Sequence, residues 1–178
     1  VAERNVPDQG PLDEVDSLVA AWQRERPDLD IAPMQVLSRV TRLAHHLDRR
    51  RRLAFSAHGL ESWEFDVLAA LRRAGAPYQL SPGQLLRETM VTSGTMTNRV
   101  DRLAARGLVG RENHPDDRRG VLVTLTLAGK ATVDAAFSDL IAAEHAILAG
   151  LPEVEQAFLT GCLRQLLAPY DERATGQF

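Results

Sequence analysis

The sequence predicts a mainly α fold with a small β-hairpin wing, the arrangement of a winged helix-turn-helix, and three observations predict it. Two short capped helices follow one another between Ser81 and Gly107. The hydrophobic period then changes from helical to two on either side of a polar, arginine-containing loop. Longer amphipathic helices flank this segment on both sides.

The first short helix starts at about Pro82. Ser81 supplies a capping hydroxyl, Pro82 a residue whose missing N–H costs nothing at the first helical position, and Gln84 a side chain able to reach back to the cap. Leu85, Leu86 and Met90 form its apolar side. Thr92 then caps a second helix that runs to about Arg106, with Gly107 as its left-handed terminator. Met96, Val100 and Leu103 recur at spacings of four and three and face inward, which leaves Thr97, Asn98, Asp101 and Arg102 facing outward.

The strands are Leu108-Val109-Gly110-Arg111 and Val121-Leu122-Val123-Thr124-Leu125. Between them Asn113 to Gly120 makes a basic tip. A long hairpin beside a helix with small polar groups on its outer face can straddle a DNA groove, the helix in the major groove and the arginines in the minor groove.

Composition bounds the rest. The chain has 178 residues, 44% of them hydrophobic and 25% charged, with a net charge of −3. That suffices for one substantial core, and no run approaches the roughly 18 consecutive apolar residues of a membrane helix. The stretch from Val1 to Pro11 lacks the apolar centre of a signal peptide and the single Cys162 has no internal partner, so a cytoplasmic location is expected. Net acidity argues only weakly against nucleic acid, because the segment from Arg87 to Arg119 is locally basic. With Lys130 the only lysine, the preference for Arg is attributed to genome composition rather than to DNA chemistry.

The flanks are expected to assemble the protein. Leu37, Val40, Ala44 and Leu47, with Val36 and Leu43 beside them, form one stripe of a helix from Pro33 to about Arg51. Thr126 caps a helix carrying Val133, Phe137, Leu140, Ile141 and Leu148, and Pro152 opens another with Val154, Phe158, Cys162, Leu163 and Leu166. Such stripes exceed what a small winged lobe covers. The expected organisation is N-terminal helices over 1–57, a winged lobe over 58–126 and C-terminal helices over 127–178, interleaved in a two-fold dimer with one reading head per subunit.

Several runs carry a family resemblance: Trp63-Glu64-Phe65-Asp66-Val67-Leu68, Ser93 to Leu103, Arg106-Gly107-Leu108-Val109, Asp117-Arg118-Arg119 and Leu125-Thr126-Leu127-Ala128-Gly129. Together they resemble the bacterial MarR family of transcriptional regulators over roughly residues 34–168. The resemblance implies a homodimer that binds a pseudo-palindromic operator, commonly as a repressor. It places DNA contacts at Ser93, Thr95, Thr97, Asn98 and Arg102 on the second helix, with Arg118 and Arg119 at the wing tip. Pro152 departs from the family, where a capping Ser is frequent.

A narrower resemblance concerns ligands. Trp22 on an additional N-terminal helix, Asp66, Arg99 and Arg111 match in type and order a quartet of the urate-responsive branch, which the segment Arg26-Pro27-Asp28-Leu29-Asp30 also resembles. It implies a ligand site for urate or a similar small anion, with a tricarboxylate or a phenolic acid as the alternatives. The residues have a physical reading of their own. Asp66 sits on the shoulder of an otherwise apolar helix face, where a carboxylate wants a partner. Arg99 borders the Met96–Val100 stripe and Arg111 shares a strand face with Val109, so both can lean inward. The plain alternatives are that Asp66 complements the helix dipole or joins a purely structural Asp–Arg pair, and that Trp22 packs with Leu12, Val15, Leu18 and Val19.

Other candidates are weaker. His45 and His46 point about 100° apart on a helix, so with Asp48 and His58 they make a poor zinc site. His45 or His145 could titrate near neutral pH, though an ordinary solvated role is the simpler reading. Arg49 to Arg52 reads as a solvated helix end with possible phosphate contacts, and Cys162 as core. No phosphate loop, metal cluster, cofactor motif or nucleophile–base arrangement stands out, so no enzyme and no cofactor are expected. A constitutive architectural DNA binder would need the same reading head but not the quartet.

Overall fold

The computed structural model describes residues 11–89, 92–113 and 120–175, with side chains to Tyr170. In chain order the described elements are α1 (Glu14–Glu25), α2 (Ala32–Ser56), α3 (Ser62–Arg73), β1 (Gln79–Leu80), α4 (Pro82–Thr89), α5 (Ser93–Ala105), β2 (Val109–Asn113), β3 (Val121–Leu125), α6 (Leu127–Leu148) and α7 (Glu153–Thr175). The chain divides after Arg50 into two compact units. Met90, Arg118 and Arg119 lie outside the described residues.

In the first unit, Asp13 caps α1 by accepting from the Val15 and Asp16 backbone N–H groups, while the Asp16 carboxylate accepts the Asp13 N–H at 2.8 Å. Val15 and Val19 are buried, four residues apart on one face. Arg39 of α2 donates to both Asp13 and Asp16, at 2.9 and 2.8 Å, so the cap of α1 is also an ion-pair site. The stripe Val36, Leu37, Val40 and Leu43 on α2 is exposed.

The second unit holds the winged lobe and its core. Phe55 and Phe65 stack with ring centroids 4.0 Å apart, and Leu68, Leu71, Leu85, Met96, Leu103 and Val123 are among the side chains that fill the interior. Burying such side chains stabilises by about 1.5–3 kcal/mol each relative to leaving them in water. The inward stripe Met96, Val100 and Leu103 is buried as its spacing requires. Ser81 and Gln84 form the expected reciprocal cap, with the Ser81 N–H donating to Gln84 Oε1 at 2.8 Å and the Gln84 N–H to Ser81 Oγ at 3.3 Å. Gly107 takes the left-handed conformation, φ +70°.

Three local expectations need correcting. Thr92 occupies the N-cap of α5, but its hydroxyl pairs with Thr95 Oγ1 at 2.9 Å instead of bonding a helix N–H. The hairpin starts one residue later than expected, at Val109, because the Leu108 N–H is given back to the Leu103 carbonyl at 3.0 Å and closes the end of α5. A third strand joins the sheet, whose antiparallel order is β1-β3-β2. At two residues, β1 is too short to show a period. Tyr78, at φ 62°, turns the chain into it, and the Tyr78 carbonyl accepts the Leu125 N–H at 3.0 Å.

Thr126 caps α6 as expected, accepting the Gly129 N–H at 2.9 Å while its own hydroxyl donates to the Gly107 and Leu108 carbonyls. One residue therefore joins the end of α5, the start of β2 and the start of α6. Gly129 is required there: a Cβ on it would stand 2.0 Å from the Leu108 carbonyl oxygen. On α6, Val133, Ala136 and Leu140 are buried. Most apolar residues of α7 remain exposed, with Phe158 at 75%, and Cys162, expected in the core, is only half-buried. Among the described residues no helix is long and apolar enough to cross a membrane.

Candidate nucleic-acid interface

The exposed face of α5 carries Ser93, Thr95, Thr97 and Asn98 along its N-terminal half. Small polar side chains on a protruding helix are the groups that read base edges and phosphates in a major groove. Behind them α5 is fixed by its buried stripe. Beside them runs β2, whose Arg111 side chain pairs with Asp101 of α5 at 2.6 Å and reaches the Thr97 carbonyl at 3.4 Å. Arg111 also lines a groove of about 210 Å³ with Pro82, Met96, Thr97, Val100, Val121 and Val123, between the helices and the sheet.

The C-terminal half of α5 is held by the start of α3. Arg102 Nη2 donates to Glu61 Oε1 at 2.7 Å, and the Trp63 indole N–H donates to Glu61 Oε2 at 3.0 Å. The Trp63 indole and the Arg102 guanidinium together hold the Glu61 carboxyl below the usual glutamate range. Arg102 and Arg99 both place their guanidinium carbons over the Trp63 ring, 4.7 and 5.4 Å from its centroid. One turn on, Arg106 donates to Glu64 at 2.6 Å and to the Gly59 carbonyl at 2.9 Å. Glu64 is 2% exposed, and its carboxylate also accepts the Glu61 N–H at 2.9 Å.

The four expected ligand residues are distributed as follows. Arg111 is exposed on β2, and Arg99 is half-buried on α5. Asp66 is exposed on α3, and among the described residues its carboxylate makes no hydrogen bond or ion pair. Among the described residues the Asp66–Arg pair anticipated from sequence is therefore not formed; Arg111 has Asp101, and Arg99 has the face of Trp63. Trp22 belongs to the first unit and is 47% exposed, so its indole is not core. His58 pairs with Asp139, Nε2 to Oδ2 at 2.7 Å.

Sequence reasoning missed Glu61, Trp63, Glu64 and Arg106. A signal was available: Arg99, Arg102 and Arg106 recur at spacings of three and four, which places three guanidinium groups along one helix edge. The pattern Glu61-Ser62-Trp63-Glu64 likewise has the spacing of a capping box.

A recognition helix pinned beside a three-stranded wing defines a winged helix-turn-helix DNA-binding protein. A sequence profile of the MarR family matches residues 58–120. The chain is 39% identical over 150 residues to the transcriptional regulator PecS of Dickeya dadantii, spanning 84% of this chain and 90% of that protein. It is 36% identical over 111 residues to the repressor NicR of Pseudomonas putida, spanning 60% and 68%. Among solved structures, Bordetella bronchiseptica BpsR, whose DNA binding is regulated by 6-hydroxynicotinic acid, is similar at TM-score 0.55 and 29% identity, over 72% of this chain and 98% of that one. The apo form of wild-type MarR from E. coli aligns at TM-score 0.57 and 27% identity, over 71% and 95%. The chain belongs to the MarR family of transcriptional regulators.

Proposed function

We propose that this regulator acts in the cytoplasm as a two-fold dimer on a pseudo-palindromic operator, usually as a repressor, and that urate or a similar small planar anion releases it. The observation that carries the reading is the tie between wing and recognition helix, Arg111 to Asp101 and to the Thr97 carbonyl. An anion that recruits Arg111 would exchange that tie for its own charge-assisted bonds and shift the helix relative to the wing. Arg99 on the same helix, Asp66 with its uncommitted carboxylate, and Trp22, which enters through the resemblance to the urate-responsive branch, complete the proposed set. That BpsR responds to an aromatic acid supports a planar anion as the class. On the DNA side, Ser93, Thr95, Thr97 and Asn98 read the major groove. Arg118 and Arg119 are proposed for the minor groove on sequence grounds.

Reducing operator affinity a hundredfold requires about 2.8 kcal/mol of differential ligand binding, within reach of one or two charged bonds. The experiment is titration of operator complexes with urate, xanthine, citrate and salicylate. Urate is expected to release the wild type and not Arg99→Ala, with Trp22→Phe shifting the titration to higher urate. Release by citrate or salicylate alone would move the ligand to the tricarboxylate or phenolic class. Insensitivity to all four would favour a constitutive architectural binder, and urate release unchanged in Trp22→Phe, Asp66→Asn, Arg99→Ala and Arg111→Ala would place the sensor elsewhere.

A further inference from the structure

The outward face of α5 carries two kinds of residue. Ser93, Thr95, Thr97 and Asn98 in its first half are exposed, and none of their side chains pairs with another element among the described residues. Arg102 is different: although its side chain is 53% exposed, it is committed to Glu61 at 2.7 Å and lies over Trp63. Glu61 is committed in turn, one carboxylate oxygen to Arg102 and the other to the Trp63 indole N–H. Planarity matters here. A guanidinium that both stacks on an indole and bonds a carboxylate held by the same indole has its direction fixed, which a lysine would not reproduce.

The pair is also built on a firm base. Glu61 precedes α3 directly, its N–H held by Glu64, and Glu64 is buried against Arg106 on the next turn of α5. The start of α3 thus grips α5 at two successive turns, once inside the protein and once at its surface. The buried stripe seats α5, and the surface grip ties Arg102, one turn beyond Thr97 and Asn98, to the start of α3.

We infer that Arg102 is a positioning residue for DNA recognition, holding the reading half of α5 through Glu61 and Trp63, rather than a phosphate contact. The inference rests on α5 being the DNA-reading helix. It departs from the expectation from sequence that Arg102 touches DNA, and it makes Glu61, an acidic residue of a DNA-binding lobe, favourable for operator binding.

That sign is the test. Full-length wild type and the variants Glu61→Gln, Arg102→Gln, Trp63→Phe and Glu61→Gln/Arg102→Gln are measured by fluorescence anisotropy on two duplexes, one selected by the wild type from a random pool and one scrambled, over a range of salt. Positioning predicts that Glu61→Gln weakens binding to the selected duplex by about tenfold, leaves the scrambled duplex unchanged, and that the double variant is no weaker than either single variant. Arg102→Gln is expected to lose the same preference with the salt slope retained. Trp63→Phe, which keeps the ring and loses the indole donor, should lose part of it. A phosphate-contacting Arg102 gives the opposite pattern: Arg102→Gln weakens both duplexes and lowers the salt slope by about one unit, while Glu61→Gln, by removing a negative charge, binds both duplexes as well as or better than wild type. That pattern overturns the inference. A wild type that does not distinguish the two duplexes would instead remove the premise that α5 reads sequence.

Discussion

Replacing Gly129 by Ala tests how closely α6 approaches the root of the wing. The added Cβ would stand 2.0 Å from the Leu108 carbonyl oxygen and 2.9 Å from Leu125 Cδ1. The first distance falls 1.4 Å short of ordinary van der Waals contact, which begins near 3.4 Å, and the obstacle is backbone. The Leu108 carbonyl cannot simply swing away, because it accepts from both the N–H and the hydroxyl of Thr126, which caps the same helix. Overpacking of this kind costs about 1–3 kcal/mol, and an immovable neighbour puts the cost at the upper end or above it. The better helix propensity of Ala returns about 1 kcal/mol, leaving a net loss of roughly 2 kcal/mol. For a chain of this length each kcal/mol lowers Tm by about 2–4 °C, so the expected fall is about 4–8 °C. The assay is far-UV circular dichroism on heating, at one fixed protein concentration because the Tm of the proposed dimer would vary with concentration. Gly94→Ala is the control. Gly94 is exposed on α5 with nothing within 4 Å of the new Cβ, so Tm should hold or rise. A Tm for Gly129→Ala within about 1 °C of the wild type would refute the packing argument, since overpacking leaves no route to so small a change.

Two further outcomes are expected. The exposed apolar residues of α7, among them Val154, Phe158, Leu166, Leu167 and Tyr170, call for cover that the described fold does not supply, so sedimentation should give a species of twice 19.6 kDa at micromolar protein, burying well over about 2,000 Å²; a folded monomer would contradict this. Arg119→Ala should weaken binding to every duplex and flatten the salt dependence, whereas Thr97→Ala should chiefly change the preference among operator variants; equal operator affinity of Arg119→Ala and wild type at moderate salt would remove the wing from the proposed interface.

Much of the fold was written locally. Helix starts at Ser81 and Thr126, the left-handed stop at Gly107, the buried triplet Met96, Val100 and Leu103, and the change of period into the hairpin all depend on residues within a few positions of one another. Capping, glycine conformation and hydrophobic period act at that range, so they can be read without knowing where the chain returns. What tertiary structure alone decided was partnership. Arg102 lies 41 residues from Glu61 and Arg106 lies 42 from Glu64. Asp66, read from sequence as the carboxylate that needs an arginine, has none among the described residues, while Asp101, read as a plain outward residue, holds Arg111. The two-residue strand β1 is likewise defined by its pairing with β3 and not by its own residues. The reason is one of range and specificity. Any arginine suits any carboxylate in chemistry, so the choice among several of each is made by distance and direction, and these exist only once α3, α5 and the wing have packed on a common core.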